Sequence, residues 1–402
     1  MLKIFNTMSR QKEEFTPLGN VVGIYTCGPS VYQYAHIGNF RTFVFEDVLV
    51  RYLIFKGFRV KRVMNLTDIE DKAIVTARTE GKTLQELTEY YSRIFFEDMK
   101  TLNLLPADVF PRATQHVPEI IDIIKKMMTN GYAYRGKDGS IYYETSKFKD
   151  WGGLSHLKLK PGKRKIKRDE WGEDSGILSD FALWKSYEFE DGDVFWETEL
   201  GKGRPGWHIE CSAMSTKYLG ARFDIHVGGV DNIYPHHETV IAQNFGAFGK
   251  NPSKYWIHAH HLMIDGRKMS KSTGNFFTLR DLLEKNYDPM AIKYLLLTKS
   301  YRRRLNFTLQ GIKESGEKLK NIRVIIDKLK DSDGIDDAEK ISLKAMKKFQ
   351  MAMDDNLDTG KALKAMEELS DAVSLIQPDK ISSENILMTL RKIDSILGLR
   401  FF

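Results

Sequence analysis

Residues 25–39 read Tyr-Thr-Cys-Gly-Pro-Ser-Val-Tyr-Gln-Tyr-Ala-His-Ile-Gly-Asn, and this segment decides how the rest of the chain is arranged. The apolar run 21–25 is rich in β-branched residues and predicts a buried strand. Apolar residues recur at helical spacing from Phe43 to Leu53, which predicts a helix of about four turns. A strand, a loop and a helix in this order place the loop at the carboxyl end of a sheet, where open α/β sheets bind ligands. Backbone amides at the start of the helix can then receive phosphate.

The composition is that of a soluble globular protein with a basic surplus. The 402 residues are 42% hydrophobic and 29% charged, and the formal net charge is +7. This charge favours a polyanionic partner or simply a solvated basic surface. No apolar run reaches the roughly 18 residues that a membrane span needs, and the N-terminus lacks a secretory signal. We therefore expect a cytoplasmic protein of two or three domains that makes no contact with a membrane.

The order of the predicted elements indicates a parallel α/β sheet that is split by an insertion and followed by helices. The further predicted strands are residues 60–65, 223–227 and 255–258. The predicted helices outside the insertion are residues 83–102, 291–297, 309–329 and 338–399, the last interrupted near Gln377-Pro378. Strand signals stop after Lys285, which predicts an all-helical terminal domain.

The predicted insertion has a mixed character. It contains a helix at residues 117–130 and a hairpin formed by residues 132–135 and 140–144. Its basic run, residues 158–168, is interpreted either as a solvated loop or as a contact for a polyphosphate backbone.

Two cysteines and a histidine form a candidate metal site. Cys27 follows the first strand, Cys211 lies in a helix-like stretch, and His236 stands at a helix start after a glycine pair. Thiolate and imidazole ligands suit zinc. The wide spacing does not show that the three side chains converge, and both cysteines can equally be small buried hydrophobes. Three protein ligands with an open position would form a substrate site that selects a thiol over a hydroxyl.

Two loops indicate a nucleotide site. His36-Ile37-Gly38-Asn39 places two hydrogen-bonding side chains around a glycine, although such a motif alone is more typical of a histidine that caps a helix. Lys268-Met269-Ser270-Lys271-Ser272 is either an exposed basic loop or a pair of lysines that bracket a triphosphate and neutralise its developing charge. Together the two loops predict nucleotidyl transfer from ATP, with pyrophosphate leaving.

These loops resemble the paired signatures of class I aminoacyl-tRNA synthetases, and residues 27–32, 203–212 and 223–238 resemble cysteinyl-tRNA synthetase in particular. The resemblance implies an α/β Rossmann-type parallel sheet with a connective insertion, followed by an α-helical bundle. The implied domains are residues 1–105 and 196–260 for the two halves of the catalytic domain, 106–195 for the insertion, 261–305 for the junction with the lysine loop, and 306–402 for the bundle.

The resemblance also implies roles for individual residues. The implied ligands of one Zn²⁺ per chain, which binds the thiolate of L-cysteine, are Cys27, Cys211 and His236. The implied catalytic residues at the ATP phosphates, with Mg²⁺, are His36, Asn39, Lys268 and Lys271. The other implied ATP-binding residues are Gly38, Gly228, Gly229, Asp231 and Ser270. The implied amino-acid pocket contains Gly28, Thr67 and Trp207.

The implied reaction forms cysteinyl-adenylate and then transfers the cysteinyl group to tRNA(Cys), and we expect the enzyme to be a monomer. The sequence departs from the family pattern at Val240, where a glutamate usually supplies a fourth zinc ligand. Either Glu238 or His237 replaces that glutamate, or the site has three ligands plus the substrate thiolate. The chain also stops at Phe402, where typical members continue into an anticodon-binding domain, so we expect a short form.

Two alternatives remain at this point. Related cysteine ligases of mycothiol biosynthesis share both departures and acylate glucosaminyl-inositol through the same adenylate. The third interpretation is a non-catalytic, synthetase-like protein that binds tRNA. The presence of His36 and Lys271 counts against it.

Overall fold

The computed structural model describes residues 1–157, 160–167, 177–206, 208–269, 274–330, 338–375 and 383–402. The strands are β1 (Lys3–Asn6), β2 (Gln11–Glu14), β3 (Val21–Thr26), β4 (Arg59–Met64), β5 (Ala133–Arg135), β6 (Ile141–Tyr143), β7 (Lys160–Lys167), β8 (Ile177–Ser186), β9 (Gly203–Pro205), β10 (Phe223–Gly229), β11 (Ser253–Ala259), β12 (Leu262–Ile264), β13 (Arg267–Lys268) and β14 (Leu305–Phe307). The helices are α1 (Ile37–Phe55), α2 (Asp71–Thr79), α3 (Leu84–Thr101), α4 (Val117–Thr129), α5 (Ile209–Leu219), α6 (Glu238–Phe248), α7 (Leu279–Glu284), α8 (Pro289–Leu297), α9 (Leu309–Lys330), α10 (Ala338–Asp354), α11 (Thr359–Ser374) and α12 (Ser383–Leu397).

The central sheet has the strand order β11-β10-β3-β4, and all of its pairings are parallel. Ile24 of β3 pairs with Ile225 on one side and with Arg62 on the other. Its strands are rich in buried apolar residues because helices cover both faces of a parallel sheet. The predicted α/β class and the predicted parallel strands are therefore confirmed.

Helix α1 lies at the centre of the molecule. It has 19 residues and is buried almost all round, because it packs against β10 and β11 and against α8 and α12. Its charged side chains are buried with partners: Asp47 accepts from Lys293 of α8 at 3.0 Å, and Arg41 donates to the carbonyl of Lys299 at 2.8 Å. The helix therefore connects the loop at its own start with the C-terminal helices.

The segment predicted to be an insertion supplies four strands of a second sheet with the order β5-β6-β8-β7, and β9, which lies beyond the predicted end of that segment, pairs with β8. The predicted hairpin is confirmed, since β5 and β6 are antiparallel. The interpretation of the basic run as a loop is wrong for residues 160–167, which form β7 and pair in parallel with β8. The backbone of this segment gains sheet hydrogen bonds that a loop would leave to water. Residues 158, 159 and 168 of the run lie outside the described residues.

The C-terminal part of the chain is helical, as predicted, but one strand was missed. Strand β14 pairs in parallel with β12, with Leu262 opposite Leu305 and Ile264 opposite Phe307. Three residues are too short for an alternating pattern to identify a strand. The predicted break at Gln377-Pro378 lies outside the described residues. No helix in the described ranges is both long and apolar enough to cross a membrane.

Candidate active site

All strands of the central sheet end at one edge, and the loops that leave this edge carry the candidate residues. Cys27 follows β3, Asn65 follows β4, Gly229 ends β10 and His260 follows β11. The pairing of β3 with β10 continues into the first loop, because the Cys27 amide donates to the Val227 carbonyl at 3.1 Å. This edge is where an open parallel sheet binds ligands.

Three side chains that the sequence proposed as metal ligands meet at this edge. The ligand atoms of Cys27, Cys211 and His236 all lie within 4.8 Å of one another. Cys27 comes from the end of β3, Cys211 from the first turn of α5, and His236 from the turn before α6. The Sγ atom of Cys27 lies 3.5 Å from Nε2 of His236, and Nδ1 of His236 contacts His208. A partner on Nδ1 orients Nε2 towards a metal.

A second candidate set shares Cys27 with the first. The ligand atoms of Cys27, His226 and His237 also lie within 4.8 Å of one another. The Sγ atom of Cys27 lies 3.5 Å from Nε2 of His226 and 3.1 Å from Nε2 of His237. The His226 ring stacks on Trp256 with centroids 4.6 Å apart. Because every member of this set is buried, it lies deeper than the first, whose His236 is only half-buried.

The environment keeps Cys211 and two of the histidines in forms that bind metals, whereas Cys27 would have to release its proton on binding one. Cys27 donates a hydrogen bond to Cys211, which raises the pKa of Cys27 and lowers the pKa of Cys211 well below its ordinary value. Burial lowers the pKa of His226 and of His237 well below the ordinary value, so both rings are neutral. Thiolate and neutral imidazole are the forms that coordinate a metal. The Cys/His cluster is therefore compatible with a metal site.

The position that departs from the family pattern contains no ligand. Val240 is fully buried on α6. Glu238 is engaged elsewhere, because its carboxylate accepts from the Gly152 amide at 3.2 Å, the Ser155 amide at 2.6 Å and the Ser155 hydroxyl at 2.9 Å. Of the two proposed replacements, only His237 has its side chain at the cysteine cluster.

A cavity of about 520 Å³ extends from Cys27 and Gly28 to the nucleotide loops. This volume falls in the range of small-ligand sites. Its wall includes the predicted residues His36, Gly38, Asn39, Gly229, Asp231 and Lys268. It also includes residues that the sequence did not single out, namely His260, His261 and Arg304. Asp231 lies 3.3 Å from His261 across this wall.

The start of α1 shows why a glycine is needed there. His36 is the N-cap, its ring accepts from the Asn39 amide at 3.1 Å, and the Asn39 side chain accepts from the His36 amide at 3.0 Å. A Cβ on Gly38 would lie 2.9 Å from the His36 ring and 3.2 Å from Met269. The capping interpretation and the nucleotide interpretation of this motif are therefore compatible, since the reciprocal cap holds both side chains at the cavity.

The remaining predicted residues lie beside this cavity or outside the described residues. Thr67 accepts from the Asn65 side chain at 3.0 Å, and its backbone pairs with the loop after β3. A Cβ on Gly28 would lie 1.8 Å from the Asn65 carbonyl, so the two loops touch through their backbones. Gly228 faces His237, where a Cβ would lie 3.0 Å from the ring. The predictions for Trp207, Ser270 and Lys271 lie outside the described residues.

Sequence comparison places the chain among known enzymes. The family described as tRNA synthetases class I (C) catalytic domain matches residues 14–317. A cysteine–tRNA ligase from Chlamydia muridarum (strain MoPn / Nigg) is 44% identical over 418 residues, which cover 99% of this chain and 88% of that protein. A cysteine–tRNA ligase from Brachyspira hyodysenteriae (strain ATCC 49526 / WA1) is 45% identical over 399 residues, with 98% and 83% covered.

Solved structures with low sequence identity share the fold. Methionyl-tRNA synthetase from Mycobacterium tuberculosis, in complex with methionyl-adenylate, matches with a TM-score of 0.69 at 15% identity, covering 95% of this chain and 90% of that chain. The ternary complex of LeuRS, tRNA and LeuAMS from Agrobacterium radiobacter K84 matches with a TM-score of 0.70 at 10% identity, covering 95% and 84%. These likenesses confirm the class I synthetase fold.

Proposed function

This chain belongs to the cysteine–tRNA ligase family of class I synthetases, and we propose that it activates L-cysteine in the cavity between Cys27 and Lys268. It is an aminoacyl-tRNA ligase whose family uses ATP, an amino acid and tRNA. The observation that supports the proposed site is the continuity of the 520 Å³ cavity, which has Cys27 of the Cys/His cluster at one end and the nucleotide loops at the other. A cysteine whose sulfur lies at the cluster would direct its carboxylate towards the ATP phosphates.

The metal that we propose for the cluster is one Zn²⁺, held by Cys27, Cys211 and His236. The donor set supports zinc, because two sulfurs and one imidazole are ligands that zinc prefers, and three protein ligands leave a position for substrate. A bound zinc would supply a Lewis-acidic site for the substrate sulfur. The protein contributes the thiolate form of Cys211 and the orientation of His236 through His208. His237 also contacts Cys27, at 3.1 Å, but does not line the cavity.

The nucleotide end of the cavity would stabilise charge that develops when the cysteine carboxylate attacks the α-phosphate of ATP. The reciprocal cap of His36 and Asn39 holds both side chains at the start of α1, where free backbone amides also face anions. Lys268 enters the wall from β13, and we assign Lys271 and Ser270 to the same task by the family motif. We propose that Gly229 and Asp231 hold the adenosine and that Mg²⁺ accompanies the phosphates. Electrostatic stabilisation of this kind is usually the largest contribution to catalysis.

Specificity for cysteine would come from the sulfur. Serine has the same shape with a hydroxyl, which is a poor ligand for a thiolate-rich zinc site. The missing bond between zinc and sulfur would disfavour serine by about 10³-fold or more, so no editing step would be needed. Thr67, Gly28 and Trp207 are the proposed remaining walls of this amino-acid pocket.

The test is a charging assay with ATP, labelled cysteine and either total tRNA or glucosaminyl-inositol as acceptor. The relatives are cysteine–tRNA ligases, so labelled tRNA(Cys) is the expected product and the amino sugar should remain unlabelled. Labelled amino sugar without labelled tRNA would contradict the proposal. Labelled serine in place of labelled cysteine is the matched control, and it should give no labelled tRNA.

A further inference from the structure

Two buried cations lie side by side on the paired strands β8 and β9. Lys185 of β8 is directly opposite Arg204 of β9 in the antiparallel register. Their side chains are only 2% and 9% exposed. Like charges directly opposite each other in a sheet destabilise it, and burial increases the cost. The pair is therefore stabilised by an anion that contacts both cations.

Asp71, the first residue of α2, supplies that anion from the catalytic domain. Its carboxylate lies 2.7 Å from Nζ of Lys185 and 2.7 Å from Nη2 of Arg204. Arg204 also donates through Nε to Asp191 at 2.7 Å, so its guanidinium lies between two carboxylates. Burial would raise the pKa of Asp71, but Arg204 and Lys185 outweigh it and lower that pKa. Asp71 is thus ionised and bridges both strands.

The bridge joins two segments that carry the proposed amino-acid pocket. Asp71 ends the loop that begins at Asn65 and contains Thr67, whose backbone pairs with Pro29 and Val31 of the loop after Cys27. Arg204 lies on the short strand that leads into α5 and Cys211. Asp71 precedes the predicted insertion in the sequence and Arg204 follows it. The distance between the Thr67 loop and the strand that leads to Cys211 therefore depends on how the insertion packs against the catalytic domain.

We infer that Asp71 is a positioning residue for amino-acid binding, because its ion pairs with Lys185 and Arg204 fix the Thr67 loop relative to the strand that leads to Cys211. This inference rests on the proposed function, in which these segments contact L-cysteine. It assigns the insertion a part in amino-acid activation, while the ATP loops at the start of α1 and at Lys268 are not held by this bridge. Small displacements of a positioning group are expected to affect binding of the substrate it positions.

The test compares Asp71→Asn with Asp191→Asn, which removes the other partner of Arg204 and leaves Asp71 in place. Cysteine-dependent ATP–pyrophosphate exchange should show the KM for cysteine raised about tenfold or more in Asp71→Asn, with the KM for ATP unchanged. Asp191→Asn should change neither KM by more than about twofold. Asp71→Glu keeps the negative charge, so its KM for cysteine should lie close to the wild-type value. Equal cysteine KM values in Asp71→Asn and Asp191→Asn would overturn the inference.

A second measurement needs no substrate and separates this inference from the proposed function. Amide hydrogen exchange in Asp71→Asn should become faster both in the Thr67 loop and at the start of α5, and remain unchanged at the start of α1. Unchanged exchange in the first two segments would contradict the inference even if the enzyme charges tRNA. If Asp71→Asn folds poorly, the double variant Asp71→Asn with Lys185→Met also removes the buried ammonium that contacts Asp71 in the wild type. It should restore stability but retain the raised cysteine KM, and a normal KM in it would also overturn the inference.

Discussion

Nε2 of His237 lies 3.1 Å from Sγ of Cys27, and Nδ1 of the same ring lies 2.8 Å from Nε2 of His258. His258 in turn lies 2.8 Å from the hydroxyl of Thr7 through its other ring nitrogen. These contacts orient the His237 ring between His258, which contacts Thr7 of the N-terminal hairpin, and the sulfur of Cys27. Cys27 belongs to both candidate ligand sets, whereas Cys211 belongs to only one of these two sets.

The two cysteines should differ in what their removal does to metal binding. Cys27→Ala removes a ligand from both sets, so purified protein should contain almost no zinc. Cys211→Ala leaves Cys27, His226 and His237, so some weakly held zinc should remain. Both variants should lose about 10³-fold or more in cysteine activation, because the proposed substrate site is incomplete. Metal analysis and pyrophosphate exchange measure the two effects, and Ser215→Ala on α5 is the control. Normal zinc content in Cys27→Ala would contradict the assignment.

A glutamate at position 240 should make metal binding tighter. In the metal-free protein, Val240→Glu places a carboxylate at a fully buried position, which should lower the melting temperature. Added zinc should then raise the melting temperature of this variant by more than it raises that of the wild type, since a ligand that binds only the native state stabilises it. Val240→Gln is the control, because a neutral amide of similar size is a poor zinc ligand. Equal zinc-induced shifts in the two variants would show that position 240 does not face the metal.

Gly38→Ala should impair ATP binding more than folding. The added Cβ would meet the His36 ring at 2.9 Å and Met269 at 3.2 Å, so the ring must move within the cavity. Because the neighbours are side chains, we expect a stability loss of only about 1 kcal/mol or less, together with an ATP KM raised about tenfold or more. The matched control is Gly316→Ala in α9, where a Cβ meets only Ala291 at an ordinary 3.6 Å. An unchanged ATP KM in Gly38→Ala would be inconsistent with a nucleotide at this position.

The buried pair of Glu46 and Arg62 should make stability depend on pH. Burial raises the pKa of Glu46 from its ordinary 4.5 to about 8, and the Arg62 guanidinium at 2.9 Å only partly opposes this. The native state therefore keeps a proton that the unfolded state releases, and the free energy of unfolding should fall as pH rises from 4.5 to about 8. Glu46→Gln should flatten this dependence, whereas exposed Glu89→Gln should not. Thermal melts across this range measure it, and identical slopes for wild type and Glu46→Gln would refute it.

The parallel sheet could be predicted because β3 is an apolar run with clear ends and each of the other three strands contains several β-branched, aromatic or other apolar residues. The basic segment 160–167 could not be read as a strand, since its lysines lack the apolar pattern and its pairing with β8 is a tertiary contact. The short β14 was missed for a similar reason, because it is held by pairing with β12 rather than by its own sequence.

The residues of the candidate site could be predicted only in part from the sequence. The resemblance singled out Cys27, Cys211 and His236, which the fold brings together, and offered His237 as a possible fourth ligand, but it gave no sign of His226 and His258. His226 and His258 lie within strands that read as ordinary core, and only the register of β10 and β11 shows that they reach the cluster. The role of Glu238 as an anchor for residues 152–155 likewise depends on a contact between distant segments.

The most direct test of the account is whether zinc at the Cys/His cluster determines cysteine activation. Wild-type protein would be stripped of metal, its zinc content measured, and ATP–pyrophosphate exchange followed with cysteine and with serine before and after zinc is restored. We predict that cysteine-dependent exchange disappears with the metal, returns with one zinc per chain, and is never matched by serine. Undiminished cysteine-dependent exchange in protein that contains no zinc would contradict the central claim.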